Sequence, residues 1–293
     1  MKVIRQQGER GTWEMAFAAP ASPLSALVDA YIGYDERNTS FTRRHELPGL
    51  FAVLIVNLGD PITIIDTAGY TIPVRSGDGF GAGLSDAYAV SETNGNQRGF
   101  QVMFTPLGAR RFFGLPLHHL ANRVFSLHDL LGAPRASALI ERLQAANDWA
   151  TGFHHLEAAI RARMAAEDDF DLAGARQTAW ALRRLQQESG QLSIAALADE
   201  VGCSRKHLAA TFREHVGIAP KTVARLLRFR QVLQLVDSAE RVAALQIDWA
   251  AIAQTAGYAD QSHFANDFRQ LTGRTPGAYL ALRLPDQAGL PVG

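Results

Sequence analysis

The sequence predicts an α+β N-terminal domain followed by an all-α C-terminal domain with two helix-turn-helix motifs joined by a long helix. Three observations predict it. Residues 50–105 carry short β-type runs separated by turn residues. From Leu107 onward the apolar spacing turns helical. The last third contains one helical pattern twice, about 55 residues apart. With 293 residues the chain is long enough for two domains. The expected bounds are a β-rich domain over 1–132, a helical linker or dimerisation segment over 133–173, and the two-motif domain over 174–293.

In the β-rich part, Phe51–Asn57 reads as a buried strand, and Ile62–Ile65 follows a Gly-Asp-Pro turn as another. Gly99–Phe104 is a third. Gly77–Gly83 holds four glycines and is expected to be a flexible loop between strands; it does not lead from a strand into a helix, so it is a poor phosphate cradle. Residues 107–132 read as helical. Residues 133–166 read as two helices broken near Asn147 and Asp148. Their stripes, Leu139, Ile140 and Leu143, then Phe153, Leu156 and Ile160, fit packing on their own domain or against another subunit.

The two copies of the repeat align on their glycines. Before the turn the offset is 55: Ala195, Ala196, Leu197, Ala198 and Gly202 match Ala250, Ala251, Ile252, Ala253 and Gly257. After it the offset is 56: Leu208, Phe212, Arg213, Gly217 and Pro220 match Phe264, Phe268, Arg269, Gly273 and Pro276. The extra residue therefore lies in the second turn. Gly202 and Gly257 suit a positive φ at the end of a helix. Ser204 and Asp260 suit the N-cap of the next. Pro220 and Pro276 suit a first helical position, with Thr275 as cap in copy two and the incapable Ala219 in copy one. Between the copies, residues 221–236 place Val223, Leu226, Leu227, Val232, Leu233 and Val236 at helical spacing, which predicts one linking helix.

On a helical wheel, Leu208 and Phe212 mark the buried side of the second helix in copy one. The opposite side is Arg205, Lys206, Ala209, Ala210 and Arg213. In copy two, Phe264 and Phe268 are buried and the outer face is Gln261, Ser262, Ala265, Asn266 and Arg269. Small residues permit close approach to a major groove, Arg and Lys suit guanine and phosphate, and Asn and Gln suit adenine. These faces point to double-stranded DNA as partner, with Ser204, Lys221, Arg225 and Arg274 as candidate phosphate contacts.

The net charge is zero, but the halves differ. Residues 175–293 hold 14 Lys/Arg and 10 Asp/Glu, residues 1–174 hold 15 and 19, so the repeat half is mildly basic. The single cysteine, Cys203, excludes an internal disulfide. No apolar run approaches the ~20 residues of a membrane span, and the N-terminus lacks an apolar signal segment. A cytoplasmic protein with no membrane partner is expected.

The repeat resembles the AraC/XylS family of bacterial transcription regulators. The resemblance covers residues 175–283. It is carried by Gly257, Tyr258, Phe264, Phe268, Gly273 and Pro276 in copy two, and by Ala198, Ser204, Leu208, Phe212, Gly217 and Pro220 in copy one. It implies a transcription regulator, such as an activator, whose modules enter successive major-groove segments of one asymmetric site, with RNA polymerase as a further partner. It also implies an N-terminal domain that senses a small-molecule effector or forms a homodimer. One departure stands out: the family often carries Arg two residues after the Leu/Phe of the reading helix, and here those places are Ala210 and Asn266. Ala210 offers only an apolar contact, while Asn266 suits adenine.

The histidines His45, His118, His119, His128, His154 and His155 lack the i, i+4 spacing of a helical metal site, and no nucleophile elbow or P-loop occurs. No enzyme activity, cofactor or metal is expected. A second reading stays open, in which an N-terminal small-molecule binder or enzyme carries a degenerate helix-turn-helix domain. Ala210 in place of an arginine is the feature that motivates it.

Overall fold

The computed structural model describes residues 1–8, 11–38, 41–165, 171–241, 247–282 and 290–291. In chain order the strands are β1 (Lys2–Gly8), β2 (Gly11–Ala18), β3 (Val28–Asn38), β4 (Thr42–Glu46), β5 (Ala52–Asn57), β6 (Ile62–Ile65), β7 (Thr71–Val74), β8 (Asp78–Ala82), β9 (Ala89–Thr93), β10 (Asn96–Phe104), β11 (Val124–Ser126) and β12 (Leu290–Pro291). They form a seven-stranded sheet, β1-β2-β3-β10-β5-β8-β11, and a five-stranded sheet, β12-β4-β9-β6-β7.

β5 explains the layering. In register with β10, its Leu54 and Val56 sit opposite Val102 and Phe100, all in the core shared with the helices. Its alternate residue Ile55 lies opposite Phe80 of β8 and packs with Ile62, Ile64 and Val74 of the second sheet. Both faces are covered, so the strand reads as a continuous apolar run. At another end of the sandwich the contacts are polar. Arg44 of β4 donates through both Nη atoms to Glu36 of β3, at 3.0 and 2.8 Å, and Ser91 Oγ donates to Glu46 at 2.6 Å.

The helices of this half are α1 (Pro106–Phe113), α2 (Leu127–Leu131), α3 (Ala133–Gln144) and α4 (Trp149–Ala165). Thr105 caps α1 by accepting from Gly108 N. The apolar stripes of α3 and α4 pack on their own domain: Leu139, Ile140, Leu143, Phe153, Leu156 and Ile160 are all buried, and the Phe153 ring lies 6.0 Å from Tyr31 and 5.9 Å from Phe100. Burial of such side chains contributes roughly 1.5–3 kcal/mol each.

Two expectations are corrected and a third is extended. The glycine run is a strand, β8, not a flexible loop. A β-carbon on Gly81 would stand 2.5 Å from Leu130 of α2; glycine is there because a helix presses on the strand, which composition alone hides. The strands are not confined to 50–105: β1 to β4 precede them within the expected β-rich domain, and β1 is a largely exposed edge with no clear apolar alternation. Residues 107–132 are not one helical stretch: β11 separates α1 from α2.

The C-terminal half is helical: α5 (Leu172–Gln187), α6 (Ile194–Val201), α7 (Arg205–His215), α8 (Pro220–Arg241), α9 (Trp249–Thr255), α10 (Gln261–Thr272) and α11 (Pro276–Leu282). α8 is the predicted linking helix. It buries Val223, Leu226, Leu227, Val232 and Val236, together with Phe229.

Candidate nucleic-acid interface

Module one is α6–turn–α7 and module two is α9–turn–α10. Each opens on a side-chain cap: Ser193 accepts from Ala196 N, and Asp248 from the N–H groups of Ala250 and Ala251. Gly202 and Gly257 take φ of 73° and 78°, the left-handed conformation that ends a helix at no side-chain cost. The wiring is then the same in both copies. Cys203 N donates to Ala198 O, and Tyr258 N to Ala253 O, both at 3.0 Å. Register is thus kept through residues 203 and 258, which assigns the inserted residue to Ala259. Ser204 caps α7 by accepting from His207 N, and Asp260 caps α10 by accepting from His263 N.

Leu208, Phe212, Phe264 and Phe268 are buried as the wheel requires. Arg205, Lys206, Ala210 and Arg213 are exposed on α7, with Ala209 half-buried; Gln261, Ser262, Asn266 and Arg269 are exposed on α10. Both outer faces are open to a partner. Each reading helix contains a single carboxylate, and an arginine holds it. Glu214 accepts from Arg110 of α1 at 2.9 and 3.2 Å. Asp267 accepts from Arg225 of α8 at 2.8 Å. Neither acid is left uncompensated near a phosphate backbone.

The phosphate candidates fare differently. Lys221 is exposed at the first turn of α8. The Ser204 hydroxyl is the cap of α7. Arg225 is engaged by Asp267 and by Gln270, whose Oε1 accepts at 2.6 Å. Arg274 is half-buried, and its charge reaches His45. Sequence reasoning passed over His207 and His263. They are equivalent at the offset of 56, both exposed in the first turn of a reading helix, and that shared offset was the available signal.

The N-terminal domain meets both modules. His45 of β4 is buried, stacks on Tyr88 with centroids 4.2 Å apart, and lies 2.7 Å from the carbonyl of Thr272 through Nδ1. A carbonyl only accepts, so Nδ1 carries the proton. Burial lowers the His45 pKa, with Arg274 and Arg43 adding to it and the Thr272 bond opposing. His215, at the end of α7, is fully buried; burial again lowers its pKa, while its 3.3 Å contact with Asp171 opposes.

The family described as a helix-turn-helix domain matches residues 197–281, which span both modules. The C-terminal region is an AraC-type helix-turn-helix domain. A family described as a domain of unknown function matches residues 16–126, from the end of β2 through β11. A comparison with curated proteins finds no match. Among solved structures, ToxT from Vibrio cholerae is similar at 10% identity over 93% of this chain and 98% of that one, with a TM-score of 0.46. The AraC-like transcriptional activator CuxR is similar at 15% identity over 80% and 86%, with a TM-score of 0.37. The xylose-binding transcription activator XylR is similar at 17% identity over 44% and 38%, with a TM-score of 0.30. With its AraC-type domain the protein is a DNA-binding transcription regulator, and no described helix is long and apolar enough to cross a membrane.

Proposed function

We propose that the protein is a sequence-specific regulator without enzyme activity, acting in the cytoplasm on one asymmetric DNA site read by two chemically unequal modules. The observation that carries this is the pair of exposed reading faces in register, cationic in module one and amide-bearing in module two. Asn266 is assigned to adenine, Arg205, Lys206 and Arg213 to guanine or phosphate, Gln261 and Ser262 to base edges, and Ala209 and Ala210 to close apolar approach. Lys221 carries the backbone contact of α8.

The N-terminal domain takes the effector between its sheets. What supports this is the division of their facing surfaces into a polar end, Tyr34, Glu36, Arg44, Glu46 and Ser91, and an apolar end, Ile62, Ile64, Val74 and Phe80. Such a surface suits a small molecule with one hydrogen-bonding end.

Selection of sites from a random DNA pool by the full chain tests the reading. Enrichment of a two-part, non-palindromic site is expected. Tight but unenriched, salt-sensitive binding would instead mark an architectural protein that reads only backbone.

A further inference from the structure

We propose that Arg110, His45 and Tyr88 of the N-terminal domain are positioning residues for DNA recognition: together they fix the spacing of the two reading helices. This rests on the reading above, in which the modules engage two halves of one site.

The repeat shows where the domain takes hold. Gly217 and Gly273 are equivalent at the offset of 56, each with positive φ, 92° and 74°, at the end of a reading helix. The N-terminal domain touches both. A β-carbon on Gly217 would stand 2.9 Å from the carbonyl oxygen of Leu117, in the turn after α1. One on Gly273 would stand 2.7 Å from His45 Cε1 and 2.8 Å from Tyr88 Cζ. Each glycine thus admits a close approach that any side chain would push away. Beside the first hold, buried Arg110 binds Glu214. Beside the second, His45 donates to Thr272 O. One domain therefore touches both module one and module two.

These contacts leave the reading faces uncovered: Arg205, Lys206, Arg213, Gln261, Asn266 and Arg269 are exposed with both holds in place. The arrangement positions the modules without occluding them. Without it, their relative orientation rests on α8, whose Arg225 binds Asp267 and Gln270 and whose Phe229 packs on Phe268, and on Gln191 ahead of α6, which donates to Thr255 O at 3.1 Å. α8 has 22 residues, about 33 Å at ~1.5 Å per residue. A swing of about 10° over that length moves its far end about 5–6 Å, more than the ~3.4 Å between base pairs along one strand. Small angular freedom is enough to blur spacing, and a second hold removes it.

The test uses the full chain and a site selected from the random pool, in versions with one or two base pairs inserted or removed between its halves. Wild type is expected to lose about tenfold or more in affinity when the spacing changes by one base pair. Arg110→Gln, Tyr88→Ala and His45→Ala are each expected to bind the original site about three- to tenfold more weakly, with the spacing penalty reduced to about threefold or less. A loss of stability alone would weaken all spacings equally. If Arg110→Gln does not fold, Glu214→Gln breaks the same pair from its more exposed end and gives the same readout. The charge-exchanged double variant Arg110→Glu with Glu214→Arg is expected to restore part of the penalty. Variants that keep the wild-type spacing profile, although hydrogen exchange shows the Gly217 and Gly273 contacts opened, overturn the proposal. So does a wild type indifferent to spacing. A pool with no enriched site overturns the DNA-reading assignment beneath it instead.

Discussion

Module one and module two share a backbone plan and differ in nearly everything that fills it. The plan is set by few residues: a cap at Ser193 or Asp248, a glycine at 202 or 257, a second cap at Ser204 or Asp260, and two buried side chains on the reading helix. Around that plan the interiors diverge. Module one is filled largely by Leu197, Leu208, Phe212 and Val216. Module two is an aromatic cluster in which Phe268 lies 5.6 Å from Phe229, 5.6 Å from Phe264 and 5.3 Å from Tyr279 by ring centroids. The holds diverge as well, an ion pair at Glu214 and an imidazole N–H donated to Thr272 O. Because the backbone hydrogen bonds depend on none of the outer positions, those positions are free to differ. On the function proposed above, that freedom is what would let one chain read two unlike half-sites.

The largest expected effect tests the interiors. Phe268→Ala removes the ring at the centre of the aromatic cluster and is expected to cost about 3–5 kcal/mol in urea unfolding, with loss of operator binding. A cost below about 1 kcal/mol would show that the rings do not act as one packed unit. Next come the faces. Asn266→Ala is expected to cost about 1–3 kcal/mol and to relax preference at one base position. A lost phosphate contact has another signature, and Lys221→Ala is expected to weaken all sequences alike and flatten the salt slope by about one unit. If selection and salt titration return one signature for both variants, the two residues do not hold distinct roles.

The modules were legible in the sequence because their determinants are local. Caps, glycines and buried pairs lie within a turn or two of what they control, and repetition supplied an internal control. What was missed depends on distance along the chain. The partner of Arg225 lies 42 residues away and that of Arg110 lies 104 residues away, and no local pattern encodes either. β8 was misread because its glycines answer to a helix some 50 residues later, and β1 went unread because an edge strand has little to bury.

A smaller effect concerns the one cap the repeat lacks. Thr275 Oγ1 accepts from Ala278 N ahead of α11, and Ala219 holds the matching place ahead of α8 with no side-chain acceptor. Ala219→Thr is expected to stabilise the protein by up to about 1 kcal/mol in urea unfolding, with DNA affinity unchanged. No gain would mean that the backbone at 219 does not present its side chain as that at 275 does.

The smallest expected effect is a pH dependence shared by the two holds, each of which lies beside a buried imidazole. The folded pKa of His45 and of His215 is lowered, chiefly by burial. The unfolded chain therefore takes up protons first as pH falls. Stability is complete above the unfolded value of about 6.5 and is lost as pH drops from there through the folded values. Protonation leaves the Nδ1–H bond of His45 to Thr272 intact, since that nitrogen is a donor in either state. The loss comes instead from a charge taken out of water near Arg274 and Arg43. Between pH 7.5 and 5.5 the melting temperature is expected to fall by about a few degrees. His45→Gln keeps a donor for Thr272 O but cannot titrate, so it is expected to flatten part of that slope, and His215→Gln another part. If neither variant changes the slope, other groups set the acid response and the imidazoles beside the holds do not.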